Sequence, residues 1–266
     1  MKKIELDELR ALQLGILKHV DLFCREHSIK YFVCGGTMIG AVRHKGYIPW
    51  DDDIDIMMLR DDYERFAHEY RNNDTSPYKL HLPEDEKYNY TFGKIEDTRT
   101  IWKENVTFKY EMGVNIDVFP IDTVPEEEAL QKKMYRRLSF FMSLMQLKNV
   151  VPSKHRSVWK NTVLLVAHLL LKPLSMRLLS KKIVDNALQY RNRDSRFCGI
   201  AVWGYGMREI NLRSNWTEVQ YLPFENMEVP VPVGFDNYLT CVYGDYMQLP
   251  PEEKRVTHHG FKAYWI

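Results

Sequence analysis

The stretch GGTMIGAVRHKGYIPWDDDIDIMML, residues 35–59, decides the fold. Four carboxylates occupy the five positions 51–55, and an apolar run follows them directly. Because a solvated turn has no need of isoleucines between its acids, the pattern predicts a strand over residues 53–58 whose side chains alternate between two faces. Asp53 and Asp55 then share one face, about 6 to 7 Å apart, and the isoleucines pack on the other.

Two carboxylates at this spacing predict a cation site. Like charges this close repel each other, and a bound cation is the usual remedy. Carboxylate oxygens are hard ligands, which favours Mg²⁺ or Mn²⁺. Phosphatases with an Asp nucleophile and nucleotide-sugar glycosyltransferases place their acids after an apolar strand, whereas here the acids come before and within it. The order therefore favours the nucleotidyltransferase type, in which a glycine pair precedes D-x-D and a neighbouring strand supplies a third acid.

The other two parts of that arrangement are present. Gly35 and Gly36 follow a short apolar strand candidate and open a helix, where glycine allows close backbone approach to phosphate, and Thr37 adds a hydroxyl. Asp117, within NIDVFP at 115–120, is flanked by apolar residues as a carboxylate on a buried strand would be. We rank Asp122, which follows a proline, below Asp117 as the third acid.

The flanking patterns predict an α/β (α+β) protein with a mixed sheet. Apolar residues recur at helical spacing over residues 4–27 and 60–71, and short strand candidates rich in aromatic and β-branched residues fill residues 78–122. Helical patterns dominate from Pro125 to about residue 191, followed by short strands and a helix at 235–243.

We divide the chain into a catalytic core with an N-terminal helix, residues 1–123, and a helical part with a C-terminal tail that packs back on the core, residues 124–266. Lys plus Arg is 37 against 36 for Asp plus Glu, so the net charge of +1 predicts no nucleic-acid partner. The four cysteines lack C-x-x-C spacing, which predicts free thiols. Acidic residues interrupt the apolar residues near the N-terminus, which does not fit a signal peptide. No uncharged apolar run reaches about 18 residues, the length of a membrane-spanning helix. A cytoplasmic enzyme is therefore expected.

The block at residues 35–56 resembles the signature of the LicD family of phosphotransferases, which includes fukutin-related proteins. The resemblance continues through NIDVFPID at 115–122 and through the tail, YGDYMQLPP at 243–251 and residues 255–259, and reaches from about residue 9 to the end. It implies a nucleotidyltransferase-like fold and transfer of a phospho-alcohol from a CDP-activated donor to a sugar hydroxyl. Phosphocholine from CDP-choline is the best-known bacterial case, with a glycan or lipid-linked glycan acceptor of the teichoic acid or lipopolysaccharide type.

The expected roles follow from this reaction. Asp53 and Asp55 hold the metal, and Asp117 completes its shell or takes the acceptor proton. The phosphate-rich donor needs glycine backbone and cations beside the acids, which we assign to Gly35, Gly36, Thr37, Arg43 and Lys94. Further candidate substrate contacts are His44, Trp50, Arg255, His258 and His259. Aromatic residues near the site, among them Trp50, offer a cage for the ammonium of choline by cation–π attraction.

Three questions stay open at this point. A nucleotidyltransferase that joins NMP to a small acceptor would have the same site, and a glycan-binding module with a decayed site is a non-enzymatic alternative. The apolar segment at 158–179, flanked by Lys160, Lys172 and Arg177, is either a buried core helix or a helix lying in the interface of the inner membrane leaflet. The second alternative predicts peripheral attachment to the membrane.

Overall fold

A computed structural model describes residues 1–73, 76–103, 110–153, 156–257 and 262–266. The candidate contacts His258 and His259 lie outside these residues. Seven α-helices occur in the described ranges: α1 (Leu6–Glu26), α2 (Gly35–Ile39), α3 (Arg60–Asn73), α4 (Glu128–Asn149), α5 (Val158–Leu170), α6 (Met176–Leu188) and α7 (Phe235–Tyr243). Each lies in a stretch that the sequence predicts to be helical, and α2 continues as a π-helical turn, Gly40–His44.

Twelve strands occur in the same ranges: β1 (Lys3–Ile4), β2 (Phe32–Val33), β3 (Asp55–Leu59), β4 (Tyr78–His81), β5 (Gly93–Asp97), β6 (Thr100–Lys103), β7 (Asn115–Val124), β8 (Phe197–Gly199), β9 (Asn211–Leu212), β10 (Val219–Phe224), β11 (Met227–Pro232) and β12 (Lys262–Trp265). The main sheet has the order β2-β3-β7-β5-β4, and β8 and β9 extend it beside the second half of β7. Strands β3 and β7 are parallel and the other pairs antiparallel, which confirms the α/β class and the mixed sheet.

The acid-bearing strand β3 lies inside the sheet because it is apolar on both faces beyond Asp55. Ile56, Met57 and Met58 have no exposed surface, and they lie in the main buried cluster. Because β3 and β7 are parallel, the chain crosses over between them through α3 and β4–β6. The crossover brings Asp117 at the start of β7 beside Asp55 at the start of β3.

The second part of the chain joins the same sheet. Val124, at the end of β7, pairs with Phe197 of β8, so strand pairing continues across the boundary placed at residue 123. The main buried cluster contains residues of both parts, including Ile183 of α6 and Leu239 of α7. The C-terminal strand β12 lies between β1 and β6, so the tail packs back on the core.

Helix α5 differs from the other helices in what it buries. Leu164 is its only buried residue, so the buried-core alternative is wrong for α5, although Met176 and Leu179, later in the segment 158–179, are buried in α6. Two adjacent stripes of apolar side chains are exposed instead: Val158, Trp159, Val163, Leu165, Val166, Leu169 and Leu170. No helix in the described part of the chain combines the length and apolar content needed to cross a membrane.

Candidate active site

Three charged side chains form a row across the main sheet. Asp55 on β3 is the register partner of Asp117 on β7, and Asp117 is in turn the partner of Lys94 on β5. Register partners on neighbouring strands project from the same face, about 5 Å apart. The Lys94 ammonium donates to Asp117 Oδ1 and, at 3.2 Å, to Asn115 Oδ1. Two of the three predicted acids and the predicted lysine are therefore brought together by strand pairing alone.

The strand begins at Asp55 and not at Asp53, so the expected alternation of Asp53 and Asp55 on one strand face is wrong. Residues 51–54 lie in an irregular loop. The loop brings one carboxylate oxygen from each of Asp51, Asp52 and Asp53 within 4.8 Å of the others. Asp53 still lines the same cavity as Asp55 and Asp117.

Helix α1 holds this acidic loop. The Arg10 guanidinium donates to the carbonyls of Ile48, Pro49 and Asp51, at 3.0 to 3.1 Å for the first two. The buried amide of Gln13 donates to the Asp52 carbonyl at 2.9 Å. Sequence reasoning missed both residues, because their partners lie about forty positions away and no motif marks them. Together they hold the backbone of Asp51 and Asp52, which fixes the position of these two acids.

The glycine pair makes room for carboxylates. A Cβ on Gly35, whose φ is +55°, would lie 3.0 Å from Asp55 Oδ2, and one on Gly36 would lie 2.3 Å from Asp51 Oδ2. The hydroxyl of Thr37 accepts a hydrogen bond from the Asp55 backbone N–H at 2.9 Å, which fixes the start of β3. Gly35 and Gly36 line the cavity, whereas Thr37 is buried beneath it.

The electrostatics of the row suit a bound cation. Burial raises the pKa of Asp55 well above its usual value, and the carboxylates of Asp53 and Asp117 raise it further. Burial alone would lower the pKa of Lys94, but the Asp117 carboxylate reverses this, and the pKa lies above its usual value. An oxygen-only donor set with excess negative charge matches Mg²⁺ or Mn²⁺. The residues present therefore fit the expected metal.

These groups line a cavity of about 770 Å³. Its walls carry the acids Asp51, Asp53, Asp55 and Asp117, together with Lys94. Aromatic side chains form much of the remainder: Trp50, Tyr90, Phe92, Trp102, Phe119, Trp203, Tyr205, Tyr238 and Tyr243.

A second cavity of about 780 Å³ adjoins the first. The two share wall residues Tyr90, Trp102, Met142, Gln146, Asn149 and Trp203. The pair offers space for two substrates beside one row of charged groups.

The basic candidates Arg43, His44 and Arg255 lie outside the lining of the acidic cavity. Arg43 donates to the carbonyls of Tyr246 and Gln248, the latter at 3.2 Å, and does not line the acidic cavity. His44 is 6.4 Å from Trp50 between ring centroids and also lies outside the lining. The Arg255 guanidinium lies 5.7 Å from the centre of the Trp50 ring, and Trp50 itself lines the cavity. Arg43 therefore anchors the tail motif to the site motif.

Two acids on β7 have different surroundings. Asp117 faces the cavity, whereas Asp122, five residues on, projects from the opposite face of the strand. Asp122 is buried and accepts two hydrogen bonds from the Arg60 guanidinium, at 2.7 and 2.9 Å. This pair is structural, in keeping with the lower rank of Asp122 as the third acid.

Sequence reasoning missed Glu209, which also lines the acidic cavity. Its side chain is buried, Oε1 accepts the Tyr205 backbone N–H at 3.0 Å, and Oε2 has no hydrogen-bond partner among the described residues. Burial raises the pKa of Glu209 to about 7. The only signal in the sequence is the preceding WGYG at 203–206, in which glycines flank an aromatic residue.

Among known proteins, one relative matches this chain over nearly its whole length. A lipopolysaccharide cholinephosphotransferase LicD of Haemophilus influenzae is 33% identical over 271 residues, which cover 99% of each chain. A family model described as LicD/FKTN/FKRP, nucleotidyltransferase domain, matches residues 28–154. An uncharacterised protein of Rickettsia typhi is 39% identical over 67 residues, 25% of this chain and 22% of that protein. The family match includes the glycine pair, the acidic loop, Lys94 and Asp117.

Proposed function

The chain belongs to the LicD family of phosphotransferases, and from this premise we propose that it transfers phosphocholine from CDP-choline to a sugar hydroxyl of a cell-surface glycan precursor, of the lipopolysaccharide or teichoic acid type. The relative matched over its full length is a lipopolysaccharide cholinephosphotransferase. The observation that carries the proposal is the row of Asp55, Asp117 and Lys94 on one wall of a cavity that also holds Asp51 and Asp53.

The proposed reaction exchanges one phosphorus–oxygen bond for another. The acceptor hydroxyl oxygen attacks the phosphorus that carries choline, a new phosphodiester forms, and the bond from that phosphorus to the bridging oxygen breaks. CMP leaves with the bond's electron pair, and the hydroxyl proton passes to a base. Positioning and charge stabilisation supply most of the rate enhancement in such transfers.

Asp53 and Asp55 would hold a Mg²⁺ ion, with Asp51 and Asp117 within the same wall. When bound, the metal neutralises charge that develops on the phosphoryl and leaving oxygens. Asp117 either completes the metal shell or takes the hydroxyl proton. The Asp117 carboxylate forms an ion pair with the Lys94 ammonium, which supports the ligand or positioning role. Lys94 itself is near enough to the acids to contact a donor phosphate once the donor is bound.

The two adjoining cavities suggest an arrangement of the substrates. We assign the CDP donor to the acidic cavity, beside the backbone of Gly35 and Gly36. We assign the acceptor glycan to the second cavity, whose lining includes Trp102, Trp203 and Tyr110. Aromatic rings there offer flat apolar faces for sugar rings, and the shared wall would let the acceptor hydroxyl reach the donor phosphorus.

A panel of donors tests this function. The enzyme is incubated with Mg²⁺, an acceptor glycan and CDP-choline, CDP-ribitol, CDP-glycerol or CDP-ethanolamine, and CMP release is measured. We expect CMP release to be fastest with CDP-choline and to be lost in EDTA. Pyrophosphate release from a nucleoside triphosphate, with no turnover of any CDP-alcohol, would instead identify a nucleotidyltransferase. No turnover of any donor would favour a binding module with a decayed site.

We further propose that the enzyme works at the inner face of the cell membrane, attached peripherally through α5. The exposed apolar stripes of α5 lie within a run of residues, 129–184, that contains no Asp or Glu. The run contains these basic residues: Lys132, Lys133, Arg136, Arg137, Lys148, Lys154, Arg156, Lys160, Lys172, Arg177, Lys181 and Lys182. The charge is concentrated here although the whole chain has a net charge of +1.

This combination favours a lipid surface over another protein copy. An apolar helix face flanked by bases inserts into the interface of an anionic leaflet, where each base near the surface contributes about 1 kcal/mol. Two copies meeting through this face would instead bring two basic surfaces together. The attachment also suits the acceptor, because α5 packs on α4, and α4 supplies Met142, Gln146 and Asn149 to the shared wall of the two cavities. A lipid-linked glycan would thus be presented close to its binding site.

A further inference from the structure

The loop between Trp203 and Glu209 is built around a buried carboxylate. Gly204 has a φ of +90°, and a Cβ there would lie 2.4 Å from Glu209 Oε1. Tyr205 donates its backbone N–H to the same oxygen at 3.0 Å. Only about 2% of Glu209 is exposed, yet Oε2 has no hydrogen-bond partner among the described residues. A buried carboxylate oxygen without a partner is unfavourable unless a ligand supplies one.

Aromatic rings line the cavity beside this loop. Tyr205 and Tyr243 meet nearly at right angles, with their centroids 5.2 Å apart and their planes at 69°. Trp203 lies 5.5 Å from Phe92 at 66°. Tyr205 and Trp203 are exposed, at 55% and 40%, although both line the cavity wall. The loop therefore offers open ring faces beside the unpartnered oxygen of Glu209.

We propose that Glu209, with the rings of Trp203, Tyr205 and Tyr243, forms a subsite for the quaternary ammonium group of the donor. This inference rests on the proposed function and names the part of the donor that the site selects. A trimethylammonium group is a cation without N–H donors, so it binds by contact with ring faces and a nearby negative charge. Ring faces supply the first and Glu209 supplies the second.

The same features disfavour the other donor alcohols. Ribitol and glycerol are neutral and require hydrogen-bond partners for several hydroxyls, whereas the rings present mainly carbon. The one unpartnered acceptor oxygen would satisfy one such hydroxyl and leave the others without partners. A primary ammonium, as in ethanolamine, needs three acceptors. Charge and shape together therefore select choline.

A neutral isostere of the donor tests this subsite. CDP-choline is compared with CDP-3,3-dimethylbutanol, in which a tert-butyl group replaces trimethylammonium, by steady-state CMP release with Mg²⁺ and acceptor. We expect the wild-type enzyme to prefer CDP-choline at least tenfold in kcat/KM. In Glu209→Gln the preference falls to within about threefold, mainly through a higher KM for CDP-choline. Glu225→Gln is the matched control, because Glu225 also accepts a backbone N–H, from Tyr47, but does not line the cavity.

The outcomes separate the possible failures. An unchanged preference in Glu209→Gln, or equal loss of kcat with both donors, overturns the subsite and leaves the proposed function standing. Absence of CMP release from CDP-choline by the wild-type enzyme overturns the proposed function itself. If Glu209→Gln does not fold, the exposed Tyr205 provides the test: Tyr205→Phe should keep the preference and Tyr205→Leu should reduce it. Equal preferences in these two variants contradict the proposal.

Discussion

The acidic wall of the sheet and the helical segment 129–184 carry opposite charges. At the wall, Asp51, Asp53, Asp55 and Asp117 lie together, and strand register and α1 hold them in place. In the helical segment, bases flank exposed apolar side chains and there is no acid in fifty-six residues. Concentrated negative charge in a cavity attracts a metal ion, whereas concentrated positive charge on an apolar surface attracts an anionic lipid leaflet. Positive and negative charges almost cancel over the whole chain, but their local concentration marks two separate sites, the acidic wall and the segment 129–184.

The largest effect is expected at the acidic wall. Replacing Asp55 by Asn should lower kcat by at least about 10³-fold, because metal neutralisation of the transition state contributes several kcal/mol. Mg²⁺ affinity, measured by calorimetry, should fall with it. The melting temperature in EDTA should stay the same or rise, because a carboxylate that is buried among like charges has been removed. Asp7→Asn, an exposed residue of α1, is the control, and full activity in Asp55→Asn would remove the metal site from this wall.

The variant Asp117→Asn distinguishes two roles for this residue, general base and metal ligand. As a base, its replacement by Asn should lower kcat by roughly 10² to 10⁴-fold with donor affinity almost unchanged. As a metal ligand, the same replacement should weaken Mg²⁺ and donor binding together. The pairing with Lys94 favours the second result. Kinetics and Mg²⁺ calorimetry on one variant distinguish the two.

Substitutions in the basic, helical segment 129–184 should weaken membrane binding and leave catalysis intact. Leu165→Glu with Leu169→Glu should reduce co-sedimentation with anionic liposomes at least about tenfold, because two side chains worth about 1.5 to 3 kcal/mol each on burial are lost. Added salt should release part of the wild-type protein, because the bases contribute through screened attraction. Both leucines are exposed, so the fold and the activity on a water-soluble acceptor should remain.

The matched control for this variant is Leu22→Glu. Leu22 is also exposed on a helix, at 56%, but lies on α1 and outside the basic segment. The Leu22→Glu variant should co-sediment with anionic liposomes as the wild type does. Equal sedimentation of the control and the double variant would contradict attachment through α5, and so would wild-type binding to neutral liposomes as strong as to anionic ones.

An effect on stability, measured apart from catalysis and membrane binding, is expected from Glu209 as pH changes. Its pKa is about 7 in the folded protein, against an ordinary value of 4.5. The folded chain therefore keeps a proton that the unfolded chain loses, and the stabilisation from Glu209 is complete below about pH 4.5 and disappears as pH rises to about 7. The free energy of unfolding of wild type minus that of Glu209→Gln should fall over this window, by on the order of 3 kcal/mol at most. Urea unfolding at several pH values measures it, and a constant difference would contradict the burial of an unpaired carboxylate.

Local pattern predicted most of the fold. The predicted helix at 60–71 is α3, and the helix at 235–243 is α7, because apolar spacing reports directly on which side of a helix meets the core. Spacing does not report whether an apolar stripe is covered, so α5 stayed ambiguous until its exposure was known. The start of a strand is also hard to predict from local pattern, because a run of acids does not show where strand pairing begins. The strand was predicted from residue 53, whereas β3 starts at Asp55.

The candidate site was predicted where motif and strand pairing coincide. Asp55, Asp117 and Lys94 meet because their strands are neighbours, which a D-x-D motif and flanking apolar residues can indicate. Arg43 bonds to carbonyls about two hundred positions away, and its place in the phosphate site stays a prediction. Glu209 was missed because its role depends on burial and on a short 3₁₀ turn, Gly206–Glu209, whose sequence has no hydrophobic period.

The central claim, that the acidic wall catalyses phosphocholine transfer, is tested most directly by ³¹P NMR of a reaction mixture. The wild-type enzyme, Mg²⁺, CDP-choline and an acceptor glycan should give CMP and a new glycan phosphodiester in equal amounts. Neither signal should form in EDTA or with Asp55→Asn. Formation of the phosphodiester at the wild-type rate by Asp55→Asn, or release of CMP without any glycan phosphodiester, would contradict the claim.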